Sequence, residues 1–174
     1  MDKLEFESMT LCPLDGRYGK IKDQLADYFS EYALVKYRVF VEIQWLKFQL
    51  DHLHTETLDK VDHNKVDDIL AISKDFNFDS FKRIKEIESV TRHDVKAVEY
   101  FIDEKFKALG YEHLESYVHI GCTSEDINNT SYACMIKHGL KDVWLPAAKE
   151  FASMINKLAV DHKDDAMLAH THGQ

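Results

Sequence analysis

Apolar residues recur along most of this chain at intervals of three and four positions, the period of a helix with one buried face. The clearest run lies between Ser30 and Leu53. Leu34, Tyr37, Phe40/Val41, Leu46 and Phe48 there fit one broad face, and Ser30 supplies an N-cap hydroxyl. Shorter runs predict helices near Asp62–Lys74 and Ser80–Glu88. Another is predicted from Asp94 to Leu109, with Gly110 in the position that usually ends a helix. Leu114–His119 reads as a short helix. Thr123 and Asp126 have capping-box spacing and open a helix expected to end at Gly139. Pro146 suits the first turn of a last long helix, running to about His162. Residues 1–20 read as an irregular arm carrying CPLDGRYGK.

Only six glycines and two prolines punctuate the chain, which favours long helices over a many-stranded sheet. The expected fold class is therefore all-α. There is no internal repeat and no low-complexity linker. The weak boundary near Gly110–Tyr111 divides the chain into an N-terminal helical domain, 1–110, and a second unit, 111–174.

Charge narrows the function. Thirty-one acidic against 22 basic residues give a net charge of −9 over 174 residues. That balance disfavours nonspecific nucleic-acid binding, which needs a basic footprint. It leaves room for a small anion held by a few local bases. No apolar run approaches the roughly 20 residues of a membrane span, and the acidic start MDKLEFESMT lacks a secretory leader's apolar core. Cys12, Cys122 and Cys134 have no metal-like spacing and read as reduced thiols in the core of a cytoplasmic protein.

Four polar clusters interrupt the helical pattern. In CPLDGRYGK, the Asp15-Gly16 turn presents Arg17 and Tyr18, either as a surface turn or as a contact for an anion and a ring. In TRHDVKAVEYF, Arg92, His93 and Asp94 stand at a helix start, whose free amides and dipole favour anions. The plainer reading is that Asp94 caps the helix and His93 packs beside it. CTSEDINNT places Thr123 and Ser124 at a second helix start, for capping or for a carboxylate. Asn128 and Asn129 follow inside the helix, where Asn is disfavoured, so a polar contact must outweigh propensity. LAHTHGQ carries His170 and His172 beside Gly173, either as a solvated loop or as a proton-transfer turn. The two histidines are two residues apart with no nearby Cys, so no metal site is expected there. Three polar clusters at or beside helix starts suit an enzyme for a multiply anionic small molecule.

In this order, PLDGRYGK, TRHDVKAVEYF, CTSEDINNTSYA and THGQ resemble the bacterial type of the adenylosuccinate lyase family, within the fumarase/aspartase/argininosuccinate lyase superfamily. The resemblance runs over nearly the whole chain. It implies an N-terminal helical domain followed by the first helices of a central long-helix bundle. It implies a cytoplasmic homotetramer, no cofactor, and purine nucleotide substrates. The implied reactions release fumarate from adenylosuccinate to give AMP, and from SAICAR to give AICAR. Arg17 and Tyr18 match the pair that contacts the nucleotide. Arg92, His93 and Asp94 match the substrate-binding triplet, His93 also orienting the substrate or assisting the acid. Close relatives often carry Asn in place of Arg92, while other branches carry Arg. Thr123 and Ser124 match the pair that binds the succinyl carboxylates, and His172 the general acid. The family's Ser-rich loop, S-S-x-M-P-x-K-x-N-P, which carries the general base, is not among these residues. The chain is therefore expected to be an N-terminal portion, inactive alone.

Two other classes compete. His93-Asp94 in a helical chain also suits a metal-dependent phosphohydrolase of the HD type, with His52, His63 and His119 as further ligands. A non-catalytic helical interaction domain would use the same polar clusters only as caps.

Overall fold

The structure, a computed structural model, describes residues 3–62 and 66–167. The described residues form helices and turns without a strand, as the sequence pattern predicts. The helices are α1 (Lys3–Ser8), α2 (Gly19–Phe29), α3 (Glu31–His52), α4 (Val66–Lys74), α5 (Phe78–Thr91), α6 (Asp94–Leu109), α7 (Ser124–Gly139) and α8 (Leu145–Asp161). Short 3-10 turns cover Leu58–Lys60 and Glu112–Tyr117.

α3 is the centre of the fold. α2, α4, α6 and α7 all pack on it, so it has no single apolar face: Val35, Val39, Ile43 and Leu46 are buried in the main core, and Ala33, Tyr37 and Val41 in smaller clusters on its other sides. The one-sided face expected from Leu34 to Phe48 is corrected accordingly, and Phe48 is exposed. The main core joins Val39, Ile43 and Leu46 to Phe81 of α5 and to Phe101 and Phe106 of α6. Fully burying side chains of this size contributes roughly 1.5–3 kcal/mol each. At its edge Tyr32 stacks on Phe78, centroids 5.9 Å apart.

Caps fix the helix ends. The Ser30 hydroxyl accepts the Ala33 amide at 3.1 Å. Gly110, at φ 77°, ends α6 in the left-handed conformation, and Tyr111 N–H donates to Phe106 O at 2.8 Å. Asn77 caps α5 through the Ser80 amide, three residues ahead of the start expected from the pattern.

Several expectations change. The arm is not irregular throughout, since α1 and the start of α2 fall within residues 1–20. Gly139 is the last residue of α7, as expected, but the chain does not turn away there. Its backbone is helical (φ −60°, ψ −40°), and the helix passes through a π segment, Leu140–Trp144, into α8. Glycine stands there because a Cβ would meet the Phe29 ring of α2 at 2.6 Å. Pro146 does occupy the first turn of α8. Cys12 is exposed, and Cys122 and Cys134 are half-buried, so none is a core residue.

Candidate active site

The site is built where two helices begin against the middle of α3. Val95, in the first turn of α6, and Ile127, in the first turn of α7, pack with Val41 of α3 in one small apolar cluster. That contact brings His93-Asp94 and Thr123-Ser124, some thirty positions apart, to neighbouring helix starts.

The α5–α6 turn is made of two residues. Arg92 ends α5 in the left-handed region at φ 53°, which Asn tolerates better than Arg, so Arg92 occupies a mildly strained backbone position. His93 then caps α6, its Nδ1 accepting the Lys96 amide at 3.2 Å. The cap is thus His93, not Asp94 as the plainer sequence reading had it. With Nδ1 accepting, a neutral ring carries its proton on Nε2, and half of the side chain faces solvent. Asp94 is the first residue of α6. It accepts Arg38 Nη2 at 2.6 Å and the Val95 amide at 2.9 Å. Partial burial works against its charge, but Arg38 and the amide outweigh it and hold the carboxyl below its usual range.

At the second helix start, the Asp126 carboxylate accepts both the Thr123 amide, at 2.7 Å, and the Thr123 hydroxyl, at 3.0 Å. These bonds lower the Asp126 pKa. The expected capping box is therefore present, and it consumes the Thr123 hydroxyl. The Ser124 hydroxyl has no partner among the described residues. First-turn amides of a helix have no intrahelical acceptor and are available to an anion. Asn128 and Asn129 both donate to Glu125, at 3.2 and 3.4 Å, drawing its carboxylate back along α7. Asn128 also accepts Arg38 Nε at 2.9 Å. The polar contact expected of this Asn pair is thus identified.

The segment leading into α7 is gripped by α3. His119 Nδ1 is 2.7 Å from Glu42 Oε1, Trp45 Nε1 donates to Ile120 O at 2.9 Å, and Gln49 Nε2 donates to Tyr117 O at 3.1 Å. Arg38, Glu42, Trp45 and Gln49 follow one another at four, three and four positions along one side of α3. Burial pushes the Glu42 carboxyl above its usual range despite the His119 hydrogen bond. His119 itself sits at φ 64°, and Gly121 follows at φ 73°. The grip holds a segment that its own backbone preferences do not favour.

Sequence reasoning passed over Arg38, Glu42, Trp45 and Gln49, and weighed His119 only as a metal ligand. Their signal is polar residues at helix-core spacing inside an apolar run, KYRVFVEIQWLKFQL.

The other predicted residues are not gathered here. Arg17 lies 5.5 Å from the Tyr18 ring centroid, and both are exposed on the turn before α2. No described contact joins them to the α6 and α7 starts. His172, with the whole of LAHTHGQ from Leu168 onward, lies outside the described residues, as does His63. Among the described residues no group of three or more His, Cys, Asp or Glu is placed to hold a metal. His93 and Asp94 are turned to a cap and to Arg38 instead. A cavity of about 340 Å³ opens beside Asp126 between α3 and α7, walled by Phe40, Trp45, Phe48, Cys122 and Ile127. Its apolar walls suit a charged molecule poorly, unlike the adjacent helix starts.

Two anion-suited helix starts thus converge on one central helix of an all-helical fold. A family model described as lyase matches residues 16–174, and the chain belongs to that family. It is 42% identical over 173 residues to adenylosuccinate lyase of Vibrio cholerae, covering 98% of this chain and 38% of that protein. It is 41% identical to adenylosuccinate lyase of Escherichia coli K12 with the same coverage. With that of Legionella pneumophila it shares 40% identity over 167 residues, 94% of this chain and 36% of that protein. The chain thus spans well under half the length of these relatives. Among the described residues no helix is long and apolar enough to cross a membrane.

Proposed function

We propose that this chain is part of an adenylosuccinate lyase, a carbon–nitrogen lyase that releases fumarate from adenylosuccinate to give AMP and from SAICAR to give AICAR. The observation that carries the reading is the convergence of His93-Asp94 and Thr123-Ser124 on Arg38 and Val41, in a chain about 40% identical to proteins of that name.

The reaction removes a proton from the carbon next to one succinyl carboxylate and breaks the bond between the neighbouring carbon and nitrogen. The carbanion's electron pair forms the fumarate double bond. The electrons of the broken bond go to nitrogen, which takes a proton. Negative charge builds on the carboxylate before the bond breaks, and fixed donors must meet it there. The Ser124 hydroxyl and the first-turn amides of α7 are such donors. His93, its Nδ1 engaged by the Lys96 amide, offers Nε2–H to orient the substrate or assist the acid. Asp94 acts with His93 in holding the substrate, and Arg92 adds positive charge at the same turn. Thr123 holds the helix start in shape through Asp126. His172 is assigned as the general acid, and Arg17 and Tyr18 bind the nucleotide. The serine assigned as general base is not among these 174 residues. No step calls for a metal or an organic cofactor.

We further infer a cytoplasmic homotetramer, in which residues 1–110 form an N-terminal domain and 111–174 open the central bundle. Support comes from the named relatives and from the exposed apolar face of α8. The test is fumarate release from adenylosuccinate and SAICAR by the full-length product of the reading frame that encodes this chain. His172→Ala should lower kcat about 10²–10⁴-fold, the usual contribution of a general acid, with a much smaller change in KM. Arg17→Ala should instead raise KM and weaken AMP inhibition. Absence of turnover with both substrates would remove the reading.

A further inference from the structure

One side chain joins the two helix starts directly. Arg38, only 6% exposed, reaches Asp94 of α6 with Nη2 and Asn128 of α7 with Nε. Its partners lie 56 and 90 positions away in sequence. Asn128 in turn holds Glu125, in the first turn of α7. Three residues on, Val41 contacts Val95 and Ile127 of the same two helices. One turn of α3 therefore supplies an ionic contact to the α6 start, a polar contact to the first turns of α7 and an apolar contact to both. A guanidinium is a rigid planar fork with donors in fixed directions, so its two bonds set the two helices relative to one another. Two independent surface contacts would leave that relation loose.

We propose that Arg38 is a positioning residue, which sets His93-Asp94 in register with Thr123-Ser124. The inference rests on the lyase reading for its catalytic consequence, not for its geometry. It predicts a loss in turnover rather than in binding, because both starts would remain present but displaced. A displacement of about 1 Å at reacting groups costs on the order of 10²-fold in rate. Lysine cannot replace the fork: its ammonium is one compact charge that meets Asp94 or Asn128, but does not reproduce the two directed bonds.

The experiment uses Arg38→Lys and Arg38→Ala in the full-length product of the encoding frame, with Lys47→Ala as control. Lys47 lies on the same helix and, among the described residues, pairs with Asp51 away from both helix starts. Arg38→Lys should lower kcat on the order of 10²-fold while KM moves by less than about fivefold and Tm stays near that of the unmutated protein. Added guanidinium should restore part of kcat in Arg38→Ala, a rescue that a merely structural loss would not show. Lys47→Ala should behave as unmutated. A second readout does not depend on turnover. In amide NMR spectra, Arg38→Lys should shift His93–Lys96 and Thr123–Asp126 together. Normal kcat in a folded Arg38→Lys protein, or shifts confined to one helix start, would overturn the proposal. An unmutated protein without turnover would overturn the lyase reading instead, and the paired amide shifts would still decide the role of Arg38.

Discussion

α3 and α8 are both long, apolar-rich helices, yet they meet opposite fates. α3 is covered on nearly every side, and it even buries Arg38, Glu42 and Gln49. No residue of α8 is buried. Phe151, Met154, Ile155 and Leu158 line its surface, with Phe151 65% exposed. The contrast shows that periodicity decides that a helix forms, while partners decide what its apolar stripe is worth. A similar stripe contributes stability on α3 and stays open to solvent on α8.

The largest test of that contrast is Phe101→Ala, on the α6 wall that faces α3. It should destabilise by about 3–5 kcal/mol, the usual cost of emptying a buried aromatic site, read as a fall in the denaturant midpoint. Phe151→Ala on α8 should cost less than about 0.5 kcal/mol. Equal losses would mean that α8 is packed in solution.

Next is the charge that α3 buries. Asp94→Asn leaves Arg38 without its anion and should cost on the order of 1–2 kcal/mol at neutral pH, discounted because Asp94 is half exposed. The Asp94 carboxyl lies below its usual value in the fold, so its contribution is complete above about pH 4 and is lost as pH falls through the folded pKa. Chemical denaturation from pH 7 down to pH 2 should show the mutant and unmutated curves converging.

Asp103 gives the opposite sign. Burial, and then Glu115 beside it, push its carboxyl up to about 6, so the folded protein holds this proton more tightly than the unfolded chain does. Its ionisation therefore removes stability as pH rises from about 4 to about 6. Asp103→Asn should raise stability at pH 7 by roughly 1 kcal/mol after solvent screening, and the gain should vanish at pH 4. A gain that persists at pH 4 would assign it to packing.

The smallest effect on folding, and the sharpest on α8, belongs to Phe151→Glu with Leu158→Glu. Stability should stay within about 0.5 kcal/mol, while sedimentation velocity of this 174-residue chain should show less self-association. Unchanged sedimentation would mean that the stripe is not a contact surface.

Much of this was legible because it is local. Ser30, Gly110, Pro146 and the Thr123–Asp126 box act within a few residues of themselves, and each stands where its cap or turn was expected. Gly139 ends α7 as its spacing suggests, but its reason is remote: the backbone stays helical into the π segment, and the missing Cβ makes room for Phe29 of α2. The same distance hid the inner side of α3. Gln44 and Gln49 are alike as letters, yet Gln44 is exposed and Gln49 buried against Tyr117 O. His93 was placed at the right helix start, but its role as cap depends on a left-handed Arg92 that no spacing reveals.

The polar side of α3 also has a consequence for the time of synthesis. The partners of Arg38, Glu42 and Gln49 follow them by 56 to 90 positions. At the usual 5–20 residues per second, Arg38 waits roughly 5 to 20 s after its own addition before Asn128 is even polymerised. Through that interval α3 carries two charges and an amide that water must satisfy, which opposes its early burial by apolar neighbours. The nascent chain is thus discouraged from closing its core until the segments around the α6 and α7 starts have arrived.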